Sequence, residues 1–181
     1  MNKDVSSIKN YVGDFPSKAN LIFKDWDDPL DTPDVHRSSQ PYYKGKDEIQ
    51  DINDKVLDAL KLKNVKTIVS LNHLPAKQSP EELRKKGIEY LHLKLEDYAA
   101  PSVGQLKQGC DLIAATHKKK QGSLVYCGAG FGRTGTMMTA YQIYITPGCT
   151  LAQLQKYIDA STAETAAQEK ALRDFHKSLY L

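Results

Sequence analysis

The run Cys127-Gly128-Ala129-Gly130-Phe131-Gly132-Arg133-Thr134, with Gly135 behind it, brings together residue types that suit one kind of chemistry. Breaking a phosphate monoester requires donors for the non-bridging oxygens, a nucleophile in line with phosphorus, and an acid for the departing oxygen. Glycine at 128, 130, 132 and 135 admits backbone angles closed to other residues. The amide N–H groups of Gly128, Ala129, Gly130, Phe131 and Gly132 can therefore turn inward around a single anion. Arg133 can close that cradle with a planar fork of charge-assisted hydrogen bonds to two phosphate oxygens. A helix starting beside Arg133 would aim its positive end at the same point. Such a field favours the ionised thiol, which makes Cys127 the candidate nucleophile.

Other readings of the loop fit less well. Gly130-x-Gly132-x-x-Gly135 matches a dinucleotide fingerprint, but that motif needs a following strand with an acidic residue, and here a helix, Pro147-Gly148 and another helix follow. A nucleotide-binding loop needs Gly-Lys-Ser/Thr, and Arg133-Thr134 lacks the lysine. An inert buried thiol on a tight turn is the usual fate of a free cysteine. A cysteine, five residues and Arg-Thr between a strand and a helix is the more demanding pattern, and it outweighs that reading.

The elements that must position this loop can be read from periodicity. Residues 1–33 are polar and interrupted by Pro16, Pro29 and Pro33, an irregular arm expected to pack on a catalytic domain formed by residues 34–181. Ile49, Ile52, Val56, Ala59 and Leu60 recur at helical spacing and predict one helix between Lys46 and Lys63. Lys66 to Leu71 reads as a buried strand. Ser79-Pro80-Glu81-Glu82 has capping-box spacing and opens a short helix that Gly87 closes, and Ile88 to Leu95 alternates as a strand does. A second capping box, Ser102 with Gln105, opens a helix with Val103, Leu106, Cys110, Ile113 and His117 inward, which places Cys110 in the core. Ser123 to Cys127 is a strand, and Arg133 to Ile145 is apolar enough all round for a buried helix. Two more helices follow, one with Leu151, Leu154 and Ile158 inward, the other with Leu172, Phe175 and Leu179. The sum is an α/β fold: a central, mostly parallel sheet of about four to five strands flanked by helices, with the phosphate loop between a strand and a buried helix.

The sequence of 181 residues, 40% apolar and 26% charged with a net charge of +3, fits a single soluble globular domain. The lysines 118–120 fall where a helix should end, where cations offset exposed carbonyls, so nucleic-acid binding is not expected. No apolar run follows Met1 and none is long enough to span a bilayer, which predicts action in a cytosol; delivery into another cell's cytosol by a non-classical route is left open. Cys110, Cys127 and Cys149 form no CxxC pair and no cluster with the five histidines, so neither a disulfide framework nor a metal is expected.

On these residues the chain resembles the cysteine-based tyrosine and dual-specificity phosphatase superfamily, and within it the small atypical dual-specificity enzymes, whose motif is cysteine, five residues, arginine, then serine or threonine. The resemblance extends to Leu95-Glu96-Asp97-Tyr98-Ala99-Ala100-Pro101-Ser102, which looks like their general-acid loop, and to Glu164 through Ala171. Low-molecular-weight phosphatases place the cysteine near the N-terminus with the acid after it, and a rhodanese would not need Asp97. The resemblance implies that Cys127 attacks phosphorus while Asp97 protonates the leaving oxygen, and that water then hydrolyses the phosphocysteine with Asp97 as base. It implies that Thr134 stabilises the departing thiolate and that no metal or other cofactor takes part.

Some residues keep two readings at this level. Asp97 can act as the acid, with Glu96 as the fallback, or cap a turn before Pro101. Gln168 can orient the hydrolytic water, as the resemblance implies, or complete a capping box with Thr165. Arg37 lies in His36-Arg37-Ser38-Ser39-Gln40-Pro41, which is similar to an opening segment of several small bacterial, plant and fungal phosphatases, and is either a supporting residue or a surface charge. Tyr126 stands where the family usually has histidine, which is expected to shift the acidic limb of the pH profile. With no lysine in the cradle and no evident deep slot, a phosphorylated protein or peptide is the expected substrate of a monomeric enzyme. An inositol phosphate or phosphoinositide is the alternative, and a non-catalytic phosphate-binding module the second.

Overall fold

A computed structural model describes residues 22–29, 32 and 34–180. Strands β1 (Val35–Ser39), β2 (Val65–Ser70), β3 (Glu89–His92) and β4 (Gly122–Cys127) form a four-stranded sheet in the order β1-β4-β2-β3. Every pairing is parallel, with Ser39 opposite Cys127 on one side of β4 and Ser70 opposite Tyr126 on the other. β4 is buried along its whole length, as a central parallel strand covered on both faces must be. Its side chains alternate: Leu124 and Tyr126 join one apolar cluster, Val125 and Cys127 the other. Helices α1 (Asp54–Leu62) and α2 (Pro80–Lys85) cover the Tyr126 face. Helices α3 (Val103–Lys118), α4 (Gly132–Tyr144), α5 (Leu151–Ala160) and α6 (Ala166–Tyr180) cover the Cys127 face. The expected sheet flanked by helices is therefore present.

Four local expectations are corrected. The helix expected from Lys46 begins only at Asp54, where the Asn53 side chain accepts the Val56 amide at 3.1 Å. The preceding residues are extended because Gln50 is used tertiarily: its carbonyl accepts from Lys77 N at 2.7 Å and its side chain donates to Leu74 O at 3.1 Å. Ile49, counted on the buried face, is exposed. In α3 the inward residue of the last turn is Thr116, hydrogen bonded to Thr67 at 2.7 Å, and His117 is exposed. The close approach of α3 to α4 at Gly109, where an added Cβ would lie 2.6 Å from Met137 Sδ, turns α3 so that 106, 109, 113 and 116 face inward. Leu151 opens α5 at its exposed end rather than facing the core. β3 stops at His92, after which Leu93 and Leu95 pair singly with the carbonyls of Ser70 and Asn72.

Of the N-terminal arm, residues 1–21 lie outside the described residues. Ile22, Phe23 and Trp26 are buried in the Tyr126-side cluster, and Asp27 exchanges backbone hydrogen bonds with Arg37 at 2.9 and 3.1 Å. Among the described residues no helix is long and apolar enough to cross a membrane.

Tyr126 is fully buried, and its hydroxyl donates to Gln50 Oε1 at 3.2 Å. Burial, with the nearby Tyr90, pushes its phenol well above the ordinary tyrosine range, so it stays a neutral donor. Its side chain thus steadies the 48–50 segment on the face opposite Cys127. Tyr126→Phe leaves the buried Gln50 oxygen short of a donor. The expected loss is about 1–3 kcal/mol of unfolding free energy in urea titrations; an unchanged transition would show that this pair does not hold the segment.

Candidate active site

Cys127 ends β4 at the carboxyl edge of the sheet, where open parallel sheets place their ligand sites, and is 3% exposed. Within 127–135 a left-handed backbone is used at Gly130 alone, φ +89°. A Cβ there would also collide with the Ser38 carbonyl and sit 2.8 Å from Ser39 N, so the loop rests directly on the end of β1. Gly128 and Gly135 are required for space rather than for angle, and Gly132 uses no left-handed angle either, contrary to the expectation for all four. A side chain at 128 would overlap the Asp47 carboxylate, one at 132 would meet Glu164 Oε2 at 2.9 Å, and one at 135 would collide with Thr162.

Helix α4 leaves the loop without a side-chain N-cap, whereas Asn53, Ser79, Ser102 and Thr150 each cap a helix. Its leading amides, including that of Gly132, therefore have no side-chain acceptor at the helix start. Thr134, in the first turn, is fully buried, and its hydroxyl makes no hydrogen bond among the described residues.

Arg133 is 2% exposed, yet its guanidinium is closely partnered. Nη1 and Nη2 donate to Asp47 Oδ2 and Oδ1 at 2.6 and 2.8 Å, a two-pronged ion pair. Nη1 also donates to the carbonyls of Leu95 at 2.9 Å and Leu71 at 3.3 Å. Nη2 reaches Asp97 Oδ1 at 3.3 Å. Burial alone would lower the guanidinium's pKa, but the hydrogen bond to Asp47 and the charges of Cys127, Asp47 and Asp97 raise it above its ordinary value. Burial alone would likewise raise the Asp47 carboxyl. Hydrogen bonds from Arg133 and from the His73 amide, with the guanidinium's charge, bring it below the usual range.

Sequence reasoning missed Asp47. It was counted within a helix, and nothing local distinguishes it from the other carboxylates in the chain. The one available signal is Gly128, whose missing side chain makes the space that this carboxylate fills. Tyr43 edges the same region, its phenol raised by burial and by the charges of Asp47, Asp97 and Cys127.

The structure brings Asp97 to Arg133 but leaves its side chain 66% exposed at the mouth of the site. Asp97 also accepts the Tyr98 amide at 3.0 Å, so it makes a local turn bond as well as reaching the arginine. Glu96 is exposed. Gln168 is fully buried and shows the capping geometry: its amide donates to Thr165 Oγ1 at 3.1 Å, and its Oε1 accepts from Thr165 N at 3.3 Å and Glu164 N at 2.7 Å. Its Nε2 donates to Ala99 O at 3.2 Å, which ties the start of α6 to the Asp97 loop. Arg37 reaches the phosphate loop from β1, donating to Gly130 O at 2.8 Å. Cys110 is a core thiol whose pKa is pushed far up by burial and by Asp111, and burial also raises Cys149.

The Asp47 pair fixes the guanidinium plane, so its loss should affect both folding and turnover. Asp47→Ala is expected to cost about 3–5 kcal/mol in anion-free buffer, the penalty for stranding a buried charge. It should also lower kcat/KM for an aryl phosphate roughly 10²-fold, as misplacement of a binding group does. Because the folded Asp47 carboxyl lies below its unfolded value, its stabilisation is complete above the ordinary carboxylate range and is lost as pH falls through the lower, folded value. Comparing urea unfolding of wild type and Asp47→Ala across that acidic range checks the sign: the difference should shrink as pH falls.

Comparison with known proteins agrees with this geometry. Over 90 residues, 49% of this chain, it is 34% identical to the tyrosine-protein phosphatase CDC14 of Saccharomyces cerevisiae, a stretch that spans 16% of that relative's length. The crystal structure of Tk-PTP in its active form superposes with a TM-score of 0.60 at 26% identity, covering 79% of this chain and 91% of that one. PTPMT1 in complex with PI(5)P shares the fold, with a TM-score of 0.62 at 21% identity over 80% of this chain and 91% of its own. Residues 44–146, which hold Asp47, Asp97 and the whole cradle, match the phosphatase family described as "Polymorphic toxin system, DSP-PTPase phosphatase". With more than half of its length in that match, this chain belongs to the DSP-PTPase phosphatase family of polymorphic toxin systems.

Proposed function

We propose that the protein hydrolyses phosphate monoesters through a phosphocysteine at Cys127. The observation that carries this reading is the convergence on one guanidinium: Arg133, which closes the Cys127 loop, also touches Asp97 at 3.3 Å. A phosphoryl group held by the loop amides and Arg133 would then lie between the nucleophile below and the acid above. Asp97, exposed at the mouth, would leave Arg133 as the dianion enters, take up a proton once freed of that ion pair, and give it to the leaving oxygen. In the second step a water oxygen bonds to phosphorus and passes its proton to Asp97 as the phosphorus–sulfur bond breaks, releasing inorganic phosphate and the Cys127 thiolate. The buried Thr134 hydroxyl, unspent on the described residues, is the donor for the departing thiolate. Gln168 keeps the acid loop in place through Ala99 O.

The substrate is proposed to be a phosphorylated protein or peptide in a cytosol. The cradle carries no lysine to neutralise several phosphates, and the free, unbridged cysteines suit a reducing compartment. Exposed Tyr98 and half-buried Tyr43 offer aromatic surface beside the cradle for an aryl ester. The alternative, a phosphoinositide, is favoured by the fold shared with PTPMT1, which was crystallised with PI(5)P.

Malachite-green phosphate release from a panel of phosphopeptides and inositol lipids separates these substrates, with phosphopeptides expected to be turned over faster. Cys127→Ser should release no phosphate; release equal to wild type would contradict the enzyme. Asp97→Asn should lower turnover by about 10²–10⁴ with an ester of a poorly acidic alcohol and far less with a nitrophenyl ester. An equal loss on both would remove Asp97 as the proton donor.

A further inference from the structure

Arg37 sits in the middle of β1 and points its guanidinium at the underside of the phosphate loop. Nη2 donates to Gly130 O at 2.8 Å and to Thr162 Oγ1 at 2.6 Å, with Phe131 O at 3.5 Å. The Thr162 hydroxyl in turn donates to Phe131 O at 2.9 Å, a carbonyl that also accepts the Gly135 amide at 2.6 Å as the first hydrogen bond of α4, so the carbonyl that depends on Arg37 is that of Gly130. These two carbonyls belong to the peptides whose N–H groups are those of Phe131 and Gly132. A peptide is planar, so a carbonyl held outward holds the N–H on its other side inward. A carbonyl pressed against β1 also needs a donor there, because water is excluded by the contact of Gly130 with Ser38 and Ser39. Without one, rotation of the peptide would turn its oxygen toward the cradle and set a partial negative charge where the phosphate must lie.

We propose that Arg37 is a positioning residue that locks the 130–131 peptide carbonyl-outward, while Thr162 reinforces the 131–132 peptide that the Gly135 amide also holds, so that the Phe131 and Gly132 amides face the anion. The proposal rests on the phosphatase reading above and deepens it. Arg37 also brings a second positive charge beneath Cys127. Burial draws that guanidinium's pKa down, while the charges of Asp27 and Cys127 work against the loss of its proton. Thr162 packs against Gly135 as well, so the same hydroxyl fixes both ends of the turn into α4. Through Glu164 and Gln168 the segment continues to the acid loop at Ala99. One strand and one loop thereby hold the binding half and the proton-donating half of the site in register.

The test uses Arg37→Met, Arg37→Lys and Thr162→Val. Turnover of p-nitrophenyl phosphate is measured in the otherwise wild-type chain, and tungstate binding by calorimetry in the Cys127→Ser background. Arg37→Met is expected to lower kcat/KM roughly 10²-fold and to weaken tungstate by about tenfold, since the Phe131 amide loses its orientation. Arg37→Lys, which keeps a charged donor, should recover a large part of the tungstate affinity. Thr162→Val should weaken tungstate about fivefold, the scale of one hydrogen bond, and it carries the test if Arg37→Met does not fold. Tungstate affinity and kcat/KM equal to the parent's in Arg37→Met, whatever its melting temperature, would overturn the proposal, as would a lysine variant no better than methionine. If wild type neither turns over nor its Cys127→Ser form binds tungstate, the phosphatase reading itself falls. That outcome is distinct from an active wild type indifferent to Arg37.

Discussion

Taking a guanidinium out of water costs several kcal/mol even after relaxation, and Arg133 is almost wholly out of water. Its charge persists because three segments supply four partner residues: Asp47 from the stretch after β1, Leu71 O after β2, Leu95 O and Asp97 after β3. These stretches leave the same edge of the parallel sheet, so one buried cation gathers the ends of three strands around the end of the fourth. The fork is planar, and two oxygens of one carboxylate set its plane as well as its place. The position of Asp47 is itself enforced. Glu48 N donates to Gln40 Oε1, Gln50 spans Glu48 O and Leu74 O, and Tyr126 donates to Gln50. A polar network on the Tyr126 face of the sheet thus sets the orientation of the arginine that serves the other face.

The phosphate loop is equally dependent on neighbours distant in sequence. Two of its glycines leave the space that Asp47 and Thr162 fill, and Gly130 lets the chain turn against β1. The loop's inner surface is a set of donors because its outer surface has been supplied with donors by Arg37 and Thr162. Leaving α4 without a side-chain cap continues the same logic, since a cap would consume amides that the site uses. Related folds with TM-scores of 0.56 to 0.62 at 16–26% identity keep the sheet and helices while most residues differ. The scaffold sets where the edge lies; the braces around it decide what that edge can bind.

Hydrogen bonding holds the backbone of the Asp97 loop more firmly than the Asp97 carboxyl. Asp97 has one weak link to Arg133 and one to the adjacent Tyr98 amide, and most of its side chain faces solvent. The anchor lies two residues on, where buried Gln168 holds Ala99 O. The carboxyl can therefore swing while its backbone stays near the arginine.

The sequence by itself determined much of this. Cys127, five residues and Arg133-Thr134 between a short apolar strand and an apolar helix specified the strand-loop-helix turn that the structure shows, because that geometry is local to the chain. Capping boxes at Ser79 and Ser102 marked helix starts that the structure shows, since that signal lies within four consecutive residues. Tertiary structure alone decided what depends on contacts between distant segments. Helical spacing around Ile49 was overridden by the tertiary bonds of Gln50, and the inward face of α3 was turned by its close approach to α4 at Gly109. Asp47 had no local mark, and Arg37 had only a likeness to go on, because each acts on a group more than eighty residues away along the chain. A motif can state which atoms will meet an anion. Which side chains hold those atoms still is written in the packing around them.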